Sequence, residues 1–188
     1  MNGVSPPIPS VETERLDLRA IQPEDLDEYH SRLFADAEVM RFLPGGRPIP
    51  RERLDGSVER SHDHWHGYGY GVWVVLDRSS GEIIGQCGLR YVDEVEETEV
   101  LYALARRSWG RGLATEGARA ALEFGFDNAG LERIVGFADR DNVASCKVME
   151  HLGMEEHGPI RIFDMDAVRY AIDRDRFREH ERETSTLR

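Results

Sequence analysis

Arg107-Ser108-Trp109-Gly110-Arg111-Gly112-Leu113-Ala114-Thr115 follows a run of strand character, Glu99-Val100-Leu101-Tyr102-Ala103-Leu104, and leads into a run of helix character. A strand, a glycine turn and a helix in that order can form an anion cradle. Glycines permit positive φ and close backbone approach, so successive N–H groups can point at one phosphate. The helix start adds its four unpaired N–H groups and the positive end of its dipole. Arg106, Arg107 and Arg111 surround the turn. Short glycine motifs also occur in ordinary strand-to-helix loops with solvated arginines, so the turn alone leaves both readings open.

Working outward, the helix expected from Gly112 to about Asn128 carries Leu113, Gly117, Ala121 and Phe124 on one side, with Ala114, Ala118, Leu122 and Phe126 beside them. This wide apolar stripe of small residues suits close packing on a sheet. Gly130 ends the helix and Arg133–Ala138 returns as a strand, a strand–helix–strand unit of the kind that yields a parallel neighbour. Asn142 is a good N-cap for a helix over Val143–Leu152, and Gly153 suits a left-handed C-cap. Two more strands are expected near 160–165 and 167–173. Upstream, Val72–Leu76, the turn residues 77–81 and Glu82–Leu89 read as an antiparallel hairpin. Arg15–Ile21 alternates polar and apolar residues as a half-buried strand does. Pro23-Glu24-Asp25 opens a helix, and a second, mostly polar helical stretch runs from about 50 to 66. The expectation is one mixed α+β domain over residues 11–177, with a flexible N-terminus (1–10) and a flexible C-terminal tail (178–188).

The length of 188 residues suits one buried core, and 40% hydrophobic with 32% charged residues is ordinary for a globular protein. No apolar run approaches the ~18 residues of a membrane span, and the start lacks a basic n-region and an apolar h-region. Cys87 and Cys146 fall in strand and helix segments, as reduced thiols in a cytoplasm would. A net charge of −12 argues against nucleic acid as a partner. Asp93, Glu94, Glu96, Glu97 and Glu99 form an acidic run just upstream of the basic turn, so a site between them could hold a phosphate-bearing ligand at one end and a cation at the other. The run also reads as a solvated hairpin edge.

A dinucleotide fold fits poorly. Thr115 stands at the third glycine position, and no acidic residue ends the following strand at the ~20-residue distance of a ribose contact. The Gly-Lys-Ser/Thr ending of a triphosphate loop is missing. His62, His64 and His66 lie in a helix-like segment where i and i+2 side chains diverge, which argues against a metal site.

The Arg107-x-x-Gly110-x-Gly112 turn between strand and helix resembles the acetyl-CoA signature of the GNAT N-acetyltransferase superfamily. Thr13-Glu14-Arg15-Leu16-Asp17-Leu18-Arg19, Trp109–Glu116, and Asn142–Ser145 through Leu152-Gly153-Met154 resemble, in order, segments of the RimJ/RimL branch, which acetylates ribosomal-protein N-termini. Together they cover roughly residues 12–175. Arg106 and Met154 depart from the usual proline and phenylalanine. The resemblance implies a central, mostly antiparallel twisted sheet of six to seven strands, splayed at one parallel pair and flanked by helices. It implies acetyl-CoA as co-substrate, with no metal and no membrane. The backbone amides of about 108–113 would hold the pyrophosphate, with Arg107 or Arg111 adding charge. Ser108, Trp109, Gly110, Arg111, Gly112, Leu113, Ala114 and Thr115 make up this cofactor-binding segment. Backbone groups near Tyr102 and Leu104 would pair with pantetheine and polarise the thioester, and Asn142 and Ser145 would contact the CoA chain.

Glu99 is the expected general base, deprotonating the amine directly or through one water; it also reads as an exposed strand-end carboxylate. Ser145 is the expected second catalytic residue, as a proton source for the thiolate, though it also reads as an ordinary first-turn helix residue, with Tyr170 as another candidate acid that also reads as core. Cys146 could serve a ping-pong route, but no oriented histidine is placed beside it. The acceptor is a primary amine, either a protein N-terminus or a small molecule; basic small acceptors would suit the negative field. The oligomeric state is monomer or homodimer. A CoA-binding regulatory module without turnover is the reading from another class.

Overall fold

Residues 6–186 are described by the computed structural model. Eight strands form one sheet: β1 (Val11–Glu12), β2 (Leu16–Arg19), β3 (Val72–Asp77), β4 (Ile83–Val92), β5 (Glu97–Leu104), β6 (Arg133–Asp139), β7 (Glu155–Ile162) and β8 (Met165–Asp173). The spatial order is β1-β2-β3-β4-β5-β6-β8-β7. Every neighbouring pair is antiparallel except β5 and β6, which run parallel and meet at one register pair, Glu99 opposite Val135. The strand count exceeds the expected six to seven through the two-residue β1. The last hairpin begins earlier than its sequence suggested, at Glu155.

Helices cover both faces. α1 (Leu26–Tyr29), α2 (Ala37–Met40) and the first turn of α3 (Ser57–Tyr68) supply Leu26, Tyr29, Val39 and Val58 to a cluster with Val74, Ile83 and Ala103 on one face. α4 (Leu113–Asp127) and α5 (Val143–His151) cover the other, over Leu16, Trp73, Leu89, Val100 and Ile134. The single helix expected over 50–66 is instead interrupted at Gly56, whose φ of +72° breaks the helical path, so α3 starts at Ser57 and runs on to Tyr68.

The small-residue stripe brings α4 close to the sheet. A Cβ added at Gly125 would stand 2.7 Å from Leu89 Cδ1 and 2.8 Å from Ile134 Cδ1. Gly125→Val should therefore lower the unfolding free energy by about 1–3 kcal/mol, as overpacking does elsewhere, read as a lower urea midpoint at unchanged m.

The C-terminal tail is a correction. α6 spans Arg174–Thr186 where residues 178–188 were expected to be flexible. Phe177 is buried and sits 5.3 Å from the Phe126 ring, Arg178 pairs with Asp127 at 3.0 Å, and Arg119 pairs with Glu181 at 3.0 Å. One aromatic anchor in a polar sequence gives little periodic signal, yet it is enough to dock the helix on α4. At the other end, Pro9 C=O accepts from Trp73 Nε1 at 2.7 Å. Residues 1–5 and 187–188 of the two expected flexible termini lie outside the described residues.

Candidate active site

Ala105 N–H donates to Ile84 C=O at 2.7 Å, which makes 84/105 a hydrogen-bonded pair of the β4–β5 ladder. Bonding alternates along an antiparallel pair, so Tyr102 and Leu104 turn their backbone groups away from β4 and toward β6. Past Glu99 and Val135 no β6 residue pairs with them, and the two strands diverge. An opened edge of backbone donors and acceptors results. Trp109 reaches back over part of it: its indole N–H donates to Leu104 C=O at 2.7 Å while 48% of the residue stays exposed.

The glycine loop lies at the end of β5. A tight turn over Arg106–Ser108 consumes two amides of the expected cradle, since Ser108 N–H donates to Ala105 C=O (2.8 Å) and Trp109 N–H to Arg106 C=O (3.1 Å). Ser108 is itself buried. The amides left for such a cradle are those of Gly110–Thr115. Gly110 and Gly112 adopt φ of +70° and +76°, and α4 begins at Leu113 with no side-chain cap on its first N–H groups. The three arginines are directed to carboxylates of the protein: Arg107 to Glu82 (2.9 Å), Arg111 to Asp77 (3.6 Å) and Arg106 to Asp36 (3.7 Å). Such exposed pairs are worth about 0–1 kcal/mol, so a pyrophosphate could compete for the same guanidinium groups.

Glu116, in the first turn of α4, accepts from Thr13 Oγ1 (2.6 Å), Arg15 N–H (2.8 Å) and Arg15 Nε (2.7 Å), while Arg15 also donates to Arg111 C=O (2.9 Å). Burial alone would raise this carboxyl, but these hydrogen bonds outweigh it and hold its pKa below the ordinary glutamate value. The β1–β2 turn is thus fastened to the cradle.

α5 closes the other side of the opening. Asn142 caps it by accepting from Ser145 N–H at 3.1 Å, leaving its amide NH2 for other partners. The Tyr102 side chain crosses the opening: its hydroxyl lies 2.9 Å from Ser145 Oγ and donates to Ser145 C=O at 3.0 Å. Burial pushes the Tyr102 phenol up, so it stays protonated.

On the opposite face, between α1, α3 and β3–β5, lies a cavity of about 270 Å³ whose walls include Val72, Val74, Gln86, Arg90 and Leu101. Glu99 is 3% exposed, and Arg90, its cross-strand partner, donates to it through Nε at 2.7 Å and through a second guanidinium nitrogen. Burial raises the Glu99 pKa; the nearby Arg90 charge and its hydrogen bonds oppose that rise without cancelling it. A buried carboxylate whose pKa is raised, held by an arginine that lines a cavity, is a candidate general base.

These features, a glycine loop feeding a helix, one splayed parallel pair and a capped second helix across the gap, coincide with a known family. Residues 15–155 match the family model described as Acetyltransferase (GNAT) domain. The chain belongs to the GNAT acetyltransferases. This GNAT enzyme is 33% identical over 151 residues to the protein YkkB of Bacillus subtilis, covering 79% of this chain and 87% of the relative. It is 29% identical over 155 residues to a protein of Aspergillus fumigatus named FsC-acetyl coenzyme A-N(2)-transacetylase, covering 78% of this chain and 65% of that one. Among solved structures, an acetyltransferase from Agrobacterium tumefaciens superimposes with a TM-score of 0.77 at 26% identity, over 93% of this chain and 99% of that one. The enzyme is an N-acetyltransferase of mixed α+β fold.

In this N-acetyltransferase the expected residues fall into two groups. Tyr102, Leu104, Asn142, Ser145 and Gly110–Thr115 gather around the opening, whereas Glu99 lies toward the other face of the sheet, behind Arg90, which lines the cavity. Tyr170 is buried with its phenol pushed up, by burial first and then by contact with Cys146. Cys146 therefore touches a tyrosine, and Cys87 is buried with its thiol pushed up to about 12. His62 contacts Ile21 C=O at 2.9 Å. His64 accepts from Tyr91 N–H at 3.3 Å, which leaves Nδ1–H to donate to Tyr70 C=O at 2.9 Å. Burial lowers the His64 pKa, so the ring is neutral. Sequence reasoning missed Arg90. Its signal was present: residues equidistant from the centre of the 93–96 turn face each other across a hairpin, which pairs position 90 with 99.

Proposed function

We propose that this enzyme transfers an acetyl group from acetyl-CoA to a primary amine by direct attack in a ternary complex. The observation that carries the reading is the opened β5 edge at Tyr102 and Leu104, set between the glycine loop, the α5 N-terminus and the cavity that Arg90 lines. N–H groups of Gly110–Thr115 bind the pyrophosphate, and Asn142 and the β5 edge bind the pantetheine arm. The outward N–H groups of that edge polarise the thioester carbonyl, the role of an oxyanion-hole donor. Glu99 takes the proton of the attacking amine, directly or through one water. The amine nitrogen bonds the acyl carbon, the carbon–sulfur bond breaks, and the thiolate takes the proton of the Ser145 hydroxyl, which Tyr102 positions, while water returns a proton to Ser145 and takes the one held by Glu99.

The segments over 13–19, 109–116 and 142–154 support the RimJ/RimL branch, and two free cysteines suit a reducing cytoplasm. Among the described residues no helix is long and apolar enough to cross a membrane.

Thiol release from acetyl-CoA over a panel of N-terminal peptides, aminoglycosides, polyamines and amino acids tests the reading. Release with at least one amine, absent without enzyme, is expected. CoA binding by calorimetry with silence across the panel would favour a regulatory module.

A further inference from the structure

The field of the whole molecule and the lining of the acceptor cavity differ in sign. A net charge of −12 favours cationic acceptors at long range. Among the described residues, those that line the cavity include two arginines, Arg60 and Arg90, and no carboxylate. Arg90 is neutralised by Glu99 behind it. Arg60 is not: its guanidinium donates to Asp55 C=O at 3.2 Å, and no carboxylate among the described residues pairs with it. The same face of α3 presents Ser57, Ser61 and His64 to the cavity. Ser57 Oγ is buried with no hydrogen-bond partner, a cost that a bound polar group would remove. Ile21, Val72, Val74 and Leu101 form the apolar wall opposite.

Resting on the acetyltransferase reading above, we propose that the acceptor is a small amine that also carries a carboxylate, held by Arg60 and Ser57 while its amine lies beside Arg90, toward the Glu99 carboxylate that Arg90 carries. A planar guanidinium matches a carboxylate in two parallel hydrogen bonds, and a single uncompensated cation suits a monoanion. Arg90, which carries Glu99, adjoins Tyr91, whose N–H donates to His64 Nε2 at 3.3 Å, and so lies level with His64 along α3. Arg60 is four residues, about one 5.4 Å turn, nearer the start of α3. The amine and the carboxylate are accordingly separated by more than the single carbon of an α-amino acid. A polyamine would bring a second cation to a wall that has no anion for it.

The test compares kcat/KM for γ-aminobutyrate and ε-aminocaproate with that for their carboxamides and for spermidine, in the wild-type enzyme and in Arg60→Gln. Each carboxylate should exceed its carboxamide by about tenfold or more, the equivalent of ~1.4 kcal/mol. Arg60→Gln should erase the difference through KM, and Arg60→Lys should restore part of it. Arg60 is exposed, and an unchanged melting temperature in the variants separates recognition from folding. Equal use of carboxylate and carboxamide, or preference for spermidine, would overturn the acceptor assignment and leave acetyl transfer standing. No thiol release with any amine, here or in the broader panel, would overturn both.

Discussion

Glu99→Gln should lower kcat by about 10²–10⁴, the usual contribution of a positioned base, with little change in acetyl-CoA affinity. Gln keeps the volume and a carbonyl oxygen for Arg90, so the buried guanidinium contacts are not orphaned, but it cannot take a proton. The wild-type pH profile of kcat/KM should show an acid limb above the ordinary glutamate range. Burial is the largest influence on Glu99 and raises its pKa, and the raised value is the pH below which the carboxyl is protonated and cannot act as base. Arg90→Gln removes the opposing charge and hydrogen bonds, so Glu99 should hold its proton to still higher pH and the limb should move further up. Stopped or steady-state thiol release across pH 5–9, an interval around the histidine and carboxylate range, reads both effects. A profile in Glu99→Gln that keeps the wild-type rate and limb would remove Glu99 from the chemistry.

Local patterns made the sheet, α4 and α5 legible before the structure. Strand alternation, the small-residue stripe of α4 and the Asn142 cap are short-range signals, and they place the central strands, α4 and α5, though β7 starts earlier than they indicate. What failed was long-range or non-periodic. The polar α6 is held by Phe177 against Phe126, a contact no window of sequence reports. Gly56 falls inside the helical stretch expected from about 50, but its left-handed conformation delays α3 to Ser57, about two turns later, and thereby sets which face, Ser57 to His64, lines the cavity. Glu99 was legible as a candidate because of its place on β5, whereas its burial and its partner Arg90, which lines the cavity, depend on register across the sheet. The bond network joining Thr13 and Arg15 to Glu116 gives a physical reason why the 13–19 and 109–116 segments go together: the first strand's turn clamps the start of α4.

Gly112→Asp should abolish measurable CoA binding, a loss of at least about 10²-fold, or ~2.7 kcal/mol, by calorimetry. Three effects act in the same direction. Gly112 sits at φ +76°, where a side chain carries a backbone penalty of order 1 kcal/mol or more, so the turn that aims the following amides is strained. The added Cβ meets only Arg15, 3.6 Å away, so the fold accommodates it and the effect falls on the ligand. The new carboxylate then stands at the α4 N-terminus, capping the N–H groups that would bind phosphate and repelling a pyrophosphate of the same sign. Gly112→Ala separates these contributions, because it shares the backbone penalty without the charge and should lose about tenfold, ~1.4 kcal/mol. Arg15 supplies an internal control: an aspartate that paired with it would leave the melting temperature unchanged or raised while CoA binding vanished. Wild-type affinity in Gly112→Asp would move the pyrophosphate away from this loop, and with it the role assigned to the opened edge of β5.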